Sequence, residues 1–132
     1  MGKPDTNSSN LIITFSNDFY KFYYALSLAS TLKATGKDVS IFISGYTCHF
    51  IKKNWQDYDK EGINEKLKKK KMGSIEEMFA YCKELEVEIF YCESAIEFLN
   101  INTKEITNLV SIQPKSMYSV LNSYKQGEII FI

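Results

Sequence analysis

Histidine and cysteine are scarce in this chain of 132 residues: His49 is the one histidine, and Cys48, Cys82 and Cys92 are the three cysteines. An odd count without CxxC spacing points to neither a disulfide framework nor a structural zinc site, so no metal is expected. Net charge is also lacking. Sixteen Lys plus Arg balance sixteen Asp plus Glu, which removes the broad electrostatic argument for a nucleic-acid or membrane-surface partner. No apolar run approaches the roughly 20 residues needed to span a bilayer. The polar N-terminus, residues 1–10, lacks the apolar core of a secretory signal, so a cytoplasmic protein with reduced thiols and no membrane partner is expected. Phosphate loops of the GxxxxGK[ST] kind, GxGxxG, HExxH and CxxC are all missing, which argues against NTP hydrolysis, hydride transfer and zinc proteolysis. No cofactor is implied.

What the chain does contain is an alternation of short β-branched runs and helical stripes. Residues 1–10 read as a disordered tail, and residues 11–132 are long enough for one domain with its own core. Leu11 to Phe15 is a strand buried on both faces, with Ser16 or Asn17 as the cap of the helix that follows. Phe22, Ala25, Leu26, Ala29 and Leu32 form one helical stripe between Asp18 and Thr35, and Gly36 ends it. Val39 to Ile43 is the second strand, and the strand, helix, strand order favours a parallel pair with a right-handed connection.

Ser44, Gly45 and Tyr46 close that strand, and Thr47 to Trp55 reads as a short helix or lid. The polar stretch from Gln56 to Lys71 reads as an exposed insertion or mobile loop. Its lysine run, Lys68 to Lys71, is foremost a solvated face, with phosphate or RNA contact as the lesser reading. Ser74 and Glu77 match a capping box at the start of a helix whose stripe is Ile75, Met78, Phe79, Cys82 and Leu85. Val87 to Tyr91 is the third strand, followed by Cys92, a Ser94 cap and a helical turn through Leu99. Thr103 is a candidate cap of a further turn. Leu109 to Ile112 reads as a fourth strand, Ser116 to Tyr124 as a helix ended by Gly127, and Glu128 to Ile132 as a last strand suited to an edge. The class is therefore α/β, a mainly parallel sheet of about five strands.

In open parallel sheets ligands gather beyond the carboxyl ends of the strands. That rim carries Ser16, Asn17 and Asp18 after the first strand, and Gly45, Tyr46, Thr47, Cys48 and His49 after the second. Cys92, Glu93 and Ser94 follow the third, and Gln113 to Ser116 the fourth. Cys92 is the candidate catalytic residue, because backbone amides at a helix start favour the nucleophilic thiolate, although the Glu93 carboxylate opposes it. Cys82 continues a helical stripe and reads as core. Cys48 and His49 are adjacent, which points their side chains apart; His49 could approach Cys92 across the rim.

LIITFS at 11–16, the helix ending Ala34, Thr35, Gly36 and Lys37, DVSIFIS at 38–44, the step from Lys71 through Gly73 into Ser74 to Glu77, and VEIFYCES at 87–94 together resemble the DsrE/DsrF family of sulfur-relay proteins. The resemblance is nearest to its branch of small DsrE-like, peroxiredoxin-like domains and covers nearly the whole chain. It implies a flavodoxin-like three-layer α/β sandwich that assembles into homo-oligomers (dimer, trimer or hexamer). It also implies that Cys92 holds a persulfide and passes sulfur between a donor and an acceptor protein. Two other readings stay open: a non-catalytic, ligand-binding or oligomeric subunit with Cys92 structural, and a thiol-redox sensor pairing Cys92 with Cys48.

Overall fold

An uninterrupted apolar run leaves no polar side for water, so it is stable as a strand only when both faces are covered. Leu11 and Ile12, and the run Ile41 to Ile43, meet that condition on neighbouring inner strands of one sheet. The computed structural model describes residues 9–124 and 127–132. Its strands are β1 (Ser9–Thr14), β2 (Asp38–Ile43), β3 (Glu88–Cys92), β4 (Ile112–Lys115) and β5 (Ile129–Phe131). They lie in the order β4-β3-β2-β1-β5, every pairing parallel. Helices α1 (Phe19–Ala34), α2 (Ile63–Lys69), α3 (Ile75–Glu84), α4 (Glu93–Phe98) and α5 (Met117–Ser123) fill the connections. The expected parallel α/β sandwich is what forms.

Register decides which side chains share a face. Leu11, Ser40 and Glu88 lie abreast, as do Ile13, Phe42 and Phe90. Helices α1 and α3 pack together, with the Cys82 thiol donating to the Leu26 carbonyl at 3.7 Å. Helix α5 carries the chain from the β4 edge back to β5 at the far edge. Tyr124, just past its end, bonds Ser40 and lies 3.4 Å from a Glu88 carboxylate oxygen, so α5 covers the Ser40 and Glu88 face. Right-handed crossovers put α1 and α3 on the opposite face.

Several boundaries differ from expectation for identifiable reasons. Residues 1–8 of the expected tail lie outside the described residues, whereas Ser9 and Asn10 already belong to β1, and Asn10 Nδ2 donates to the Asp38 carbonyl at 3.2 Å. The cap of α1 is Asp18, not Ser16 or Asn17: its Oδ1 accepts from the Lys21 amide at 3.0 Å. The short helix expected over 47–55 is a 3-10 helix that starts earlier, Gly45–Ile51, and is followed by a second one, Trp55–Tyr58.

The stretch 56–71, expected as an exposed insertion or mobile loop, is largely exposed but carries helix α2. Asp59 accepts from the Ile63 and Asn64 amides at 2.9 Å each and so starts α2, whose Leu67 is buried. β4 lies at 112–115 rather than 109–112. Thr107 is held upstream by its amide bond to the Ile51 carbonyl (2.7 Å), and Pro114 is tolerated within β4 because that strand is at the edge. The cap near residue 103 is Asn102, which forms a capping box with Glu105, and Cys92 rather than Ser94 stands at the cap of α4. The capping box of Ser74 and Glu77 forms as expected.

Candidate functional site

Cys92 is where β3 turns into α4. It has extended geometry (φ −79°, ψ 120°), and its side chain makes no capping hydrogen bond, so the sulfur is not spent on holding the helix. Alternation along β3 puts it on the same side of the sheet as Phe90, the side that α5 covers. Lys115, its register partner on β4, shares that side, with Nζ 4.8 Å from the Phe90 ring centre.

A cleft of about 380 Å³ opens at this point, with Cys92, Ser94, Gly45 and Tyr46 among its lining residues. Its walls are mainly apolar, supplied by Phe15 after β1, Phe98 on α4 and Met117 at the start of α5. Cys92 is only 6% exposed, so its sulfur belongs to the wall rather than projecting into solvent. Gly45 is required beside it. The residue has φ +53°, and a Cβ there would collide with the Phe15 ring, which packs edge-on against Tyr46 at 5.8 Å.

Cys48 is fully buried behind this cleft rather than on an open rim. Its thiol donates to the Ile43 carbonyl at 3.6 Å. Burial, reinforced by the neighbouring Cys92, pushes the Cys48 thiol up to about 12, partly countered by the Cys92 backbone amide directed at its sulfur. It is therefore a protonated packing group at neutral pH. Cys82 is likewise buried and pushed up to about 12.

The remaining candidates gather elsewhere. Asn17 and His49 line a separate polar cleft of about 400 Å³ with Asp18, Tyr58 and Asp59. The His49 ring stacks on Tyr58 with centres 4.3 Å apart, and burial together with the Lys52 charge lowers its pKa. Lys52 Nζ donates to the Tyr58 hydroxyl at 3.2 Å. His49 thus belongs with Tyr58, not with Cys92. Ser16 lines neither cleft; its carbonyl accepts from Thr47 Oγ1 at 2.7 Å.

The structure therefore unites Cys92, Gly45, Tyr46 and Ser94 and separates Ser16, Asn17 and His49 from them. Phe15, Phe98 and Met117 were not foreseen. Phe15 and Met117 each sit one residue outside the rim segments that the carboxyl-end rule selects. Among the described residues no group of three or more His, Cys, Asp or Glu is placed to hold a metal. No helix among them is long and apolar enough to cross a membrane.

A parallel α/β sandwich with one thiol lining an apolar cleft at the carboxyl edge of the sheet is the class these features define. The family model for the DsrE/DsrF-like family matches residues 11–131, and the chain belongs to that family. This places it among proteins of sulfur-relay type. No curated protein matches the chain in sequence. Solved structures that share the fold include these three. A conserved protein of unknown function, BT1422, from Bacteroides thetaiotaomicron has a TM-score of 0.68 at 15% identity, covering 99% of this chain and 100% of that one. The ychN protein from E. coli gives 0.70 at 12% identity, with 95% and 99% covered. MTH1491 from Methanobacterium thermoautotrophicum, also of unknown function, gives 0.65 at 9% identity, with 96% and 100% covered.

Proposed function

We propose that the chain is a sulfur carrier in which Cys92 holds a persulfide and passes its outer sulfur to a partner protein. The observation that carries this reading is that, of the three thiols, Cys92 lines a cleft while Cys48 and Cys82 are sealed in the core. In the loading step the Cys92 thiolate attacks the outer sulfur of a donor persulfide. The donor's S–S bond breaks, the donor leaves as a thiol, and Cys92 keeps the sulfur. An acceptor thiolate then takes that sulfur and Cys92 returns to a thiol. Neither step needs a cofactor or a net oxidant. A persulfide held between the apolar walls is shielded from competing thiols.

Incubation with a small persulfide donor followed by intact mass spectrometry tests this. Wild type is expected to gain the mass of one sulfur, reversed by a thiol reductant, and the Cys92→Ser variant to gain none. No added sulfur, or equal labelling of the variant, would sink the idea. A Cys92 that resists alkylation until the protein unfolds would favour the reading in which it is structural.

One observation favours a redox reading as the second choice: the Cys92 amide is directed at the Cys48 sulfur, so the two residues are immediate neighbours. Peroxide treatment should then give a Cys48–Cys92 disulfide in place of an overoxidised Cys92. We also propose a homo-oligomer, supported by the apolar side chains left exposed beside the cleft.

A further inference from the structure

The opposite face of the molecule, away from Cys92, joins the lysine-rich end of α2 to exposed tyrosines of α1 and α3. Tyr20 stacks on Tyr23 with centres 6.0 Å apart and planes 17° from parallel, and Tyr20 is 54% exposed. The Tyr23 hydroxyl donates to the Met72 carbonyl at 2.9 Å, tying α1 to the turn after α2. Tyr81, 45% exposed, and Glu77 lie close enough to Tyr23 to influence its hydroxyl electrostatically. Lys68, Lys71, Met72 and Tyr81 then line one open cleft of about 490 Å³.

The lysine run concentrates positive charge here despite the neutral chain, with Glu65 and Glu77 set among it. Lys66, Lys68, Lys69, Lys70 and Lys71 are all exposed, and Lys68 is the one of them in an ion pair among the described residues, 3.4 Å from Glu65. The opposing carboxylate in the cleft, Glu77, is engaged by the Ser74 amide at 2.7 Å.

We propose that this face binds single-stranded nucleic acid, with the α2 lysines contacting phosphates and the rings of Tyr20 and Tyr81 stacking on bases. Exposed lysines, of which Lys68 and Lys71 share the cleft with Tyr81, beside exposed aromatic rings are the two elements a sequence-tolerant single-strand site requires. An acidic peptide would use the lysines but not the exposed ring of Tyr81 or the remaining face of Tyr20. The inference is independent of the sulfur-carrier reading, since no residue is shared with the Cys92 cleft.

Fluorescence anisotropy of a labelled, mixed-sequence single-stranded RNA with the full chain tests it, with an unlabelled acidic peptide as competitor. Wild type is expected to bind at low salt and to lose affinity steeply as salt rises. The Lys69→Gln, Lys70→Gln, Lys71→Gln triple variant should bind at least about tenfold more weakly and show a flatter salt dependence. Tyr20→Ala and Tyr81→Ala should each weaken binding about tenfold, on the usual scale of base stacking, with the salt dependence unchanged. Circular dichroism establishes that each variant is folded, and all of these substitutions are at exposed positions. Absence of wild-type binding at low salt, retention of binding in the lysine variant, indifference to both tyrosine changes, or displacement by the acidic peptide at equal concentration would each overturn the proposal.

Discussion

Cys48 and Cys82 show how one buried atom can set the response of a fold to pH. In the unfolded chain each thiol ionises from its ordinary value of 9.0, whereas burial holds it protonated in the folded chain up to about 12. Between those values the unfolded chain binds fewer protons than the folded one, so stability is fully present below about 9 and falls as pH rises through this window. The Tyr23, Tyr91 and Tyr124 hydroxyls are also raised by burial above their ordinary 10.0, which steepens the decline above that value without changing its sign. Urea midpoints are expected to be level near neutrality and to fall from about pH 9 upward. The Cys82→Ala variant should start from a lower neutral midpoint but decline less steeply between pH 9 and 10, because one of the two thiols no longer titrates. An identical alkaline slope in that variant would contradict the assignment.

At the scale of an element, the segment from Asp59 to Ser74 shows how a polar stretch can be structural. Asn64 is 3% exposed; its Oδ1 accepts from the Ile75 amide at 2.7 Å, and its Nδ2 donates to Glu76 at 3.2 Å. One side chain thus joins the start of α2 to the first turn of α3. Asn64→Ala would leave the buried Ile75 amide without a partner, at a cost of about 2–3 kcal/mol. Thermal unfolding should register that loss, and a change within about 0.5 kcal/mol, typical of a surface substitution, would show the contact to be dispensable. This network was illegible in the sequence because Asn64 sits among lysines and glutamates, and its partners are eleven and twelve residues away. Elements whose signal is local were legible: the apolar runs of β1, β2 and β3, the stripe of α1, and the Ser74 box. β4 was misplaced by three residues because its register depends on the tie from Thr107 to Ile51, which no local pattern announces. The same division applies to the site. Cys92 and Gly45 are marked by the strand ends they follow, but the Phe15, Phe98 and Met117 walls come from three separate connections that only the fold brings together.

For the whole molecule, the decisive feature is what the sheet leaves uncovered. β5 pairs with β1, and among the described residues its other edge has no strand beside it. Ile129 and Phe131 are in register with Leu11 and Ile13, so they point to the α5 side of the sheet, and they are 53% and 70% exposed. Tyr118 and Leu121 on α5 add to the exposed apolar groups, as do Phe15 and Met117 at the neighbouring cleft. An open edge with apolar side chains next to it is a template for pairing, and a monomer would carry it as an aggregation liability. A second copy adding its own β5 would continue the sheet and cover these groups at once. Light scattering of wild type is therefore expected to give a multiple of the 15.3 kDa chain mass. Phe131→Lys, which places a charge in the seam without touching the core, should shift the distribution toward monomer, and Phe131→Leu should leave it unchanged. A wild-type protein that is monomeric at high concentration would refute the interface. If the lysine variant stays as fully assembled as wild type and the leucine variant, the contact lies on another face.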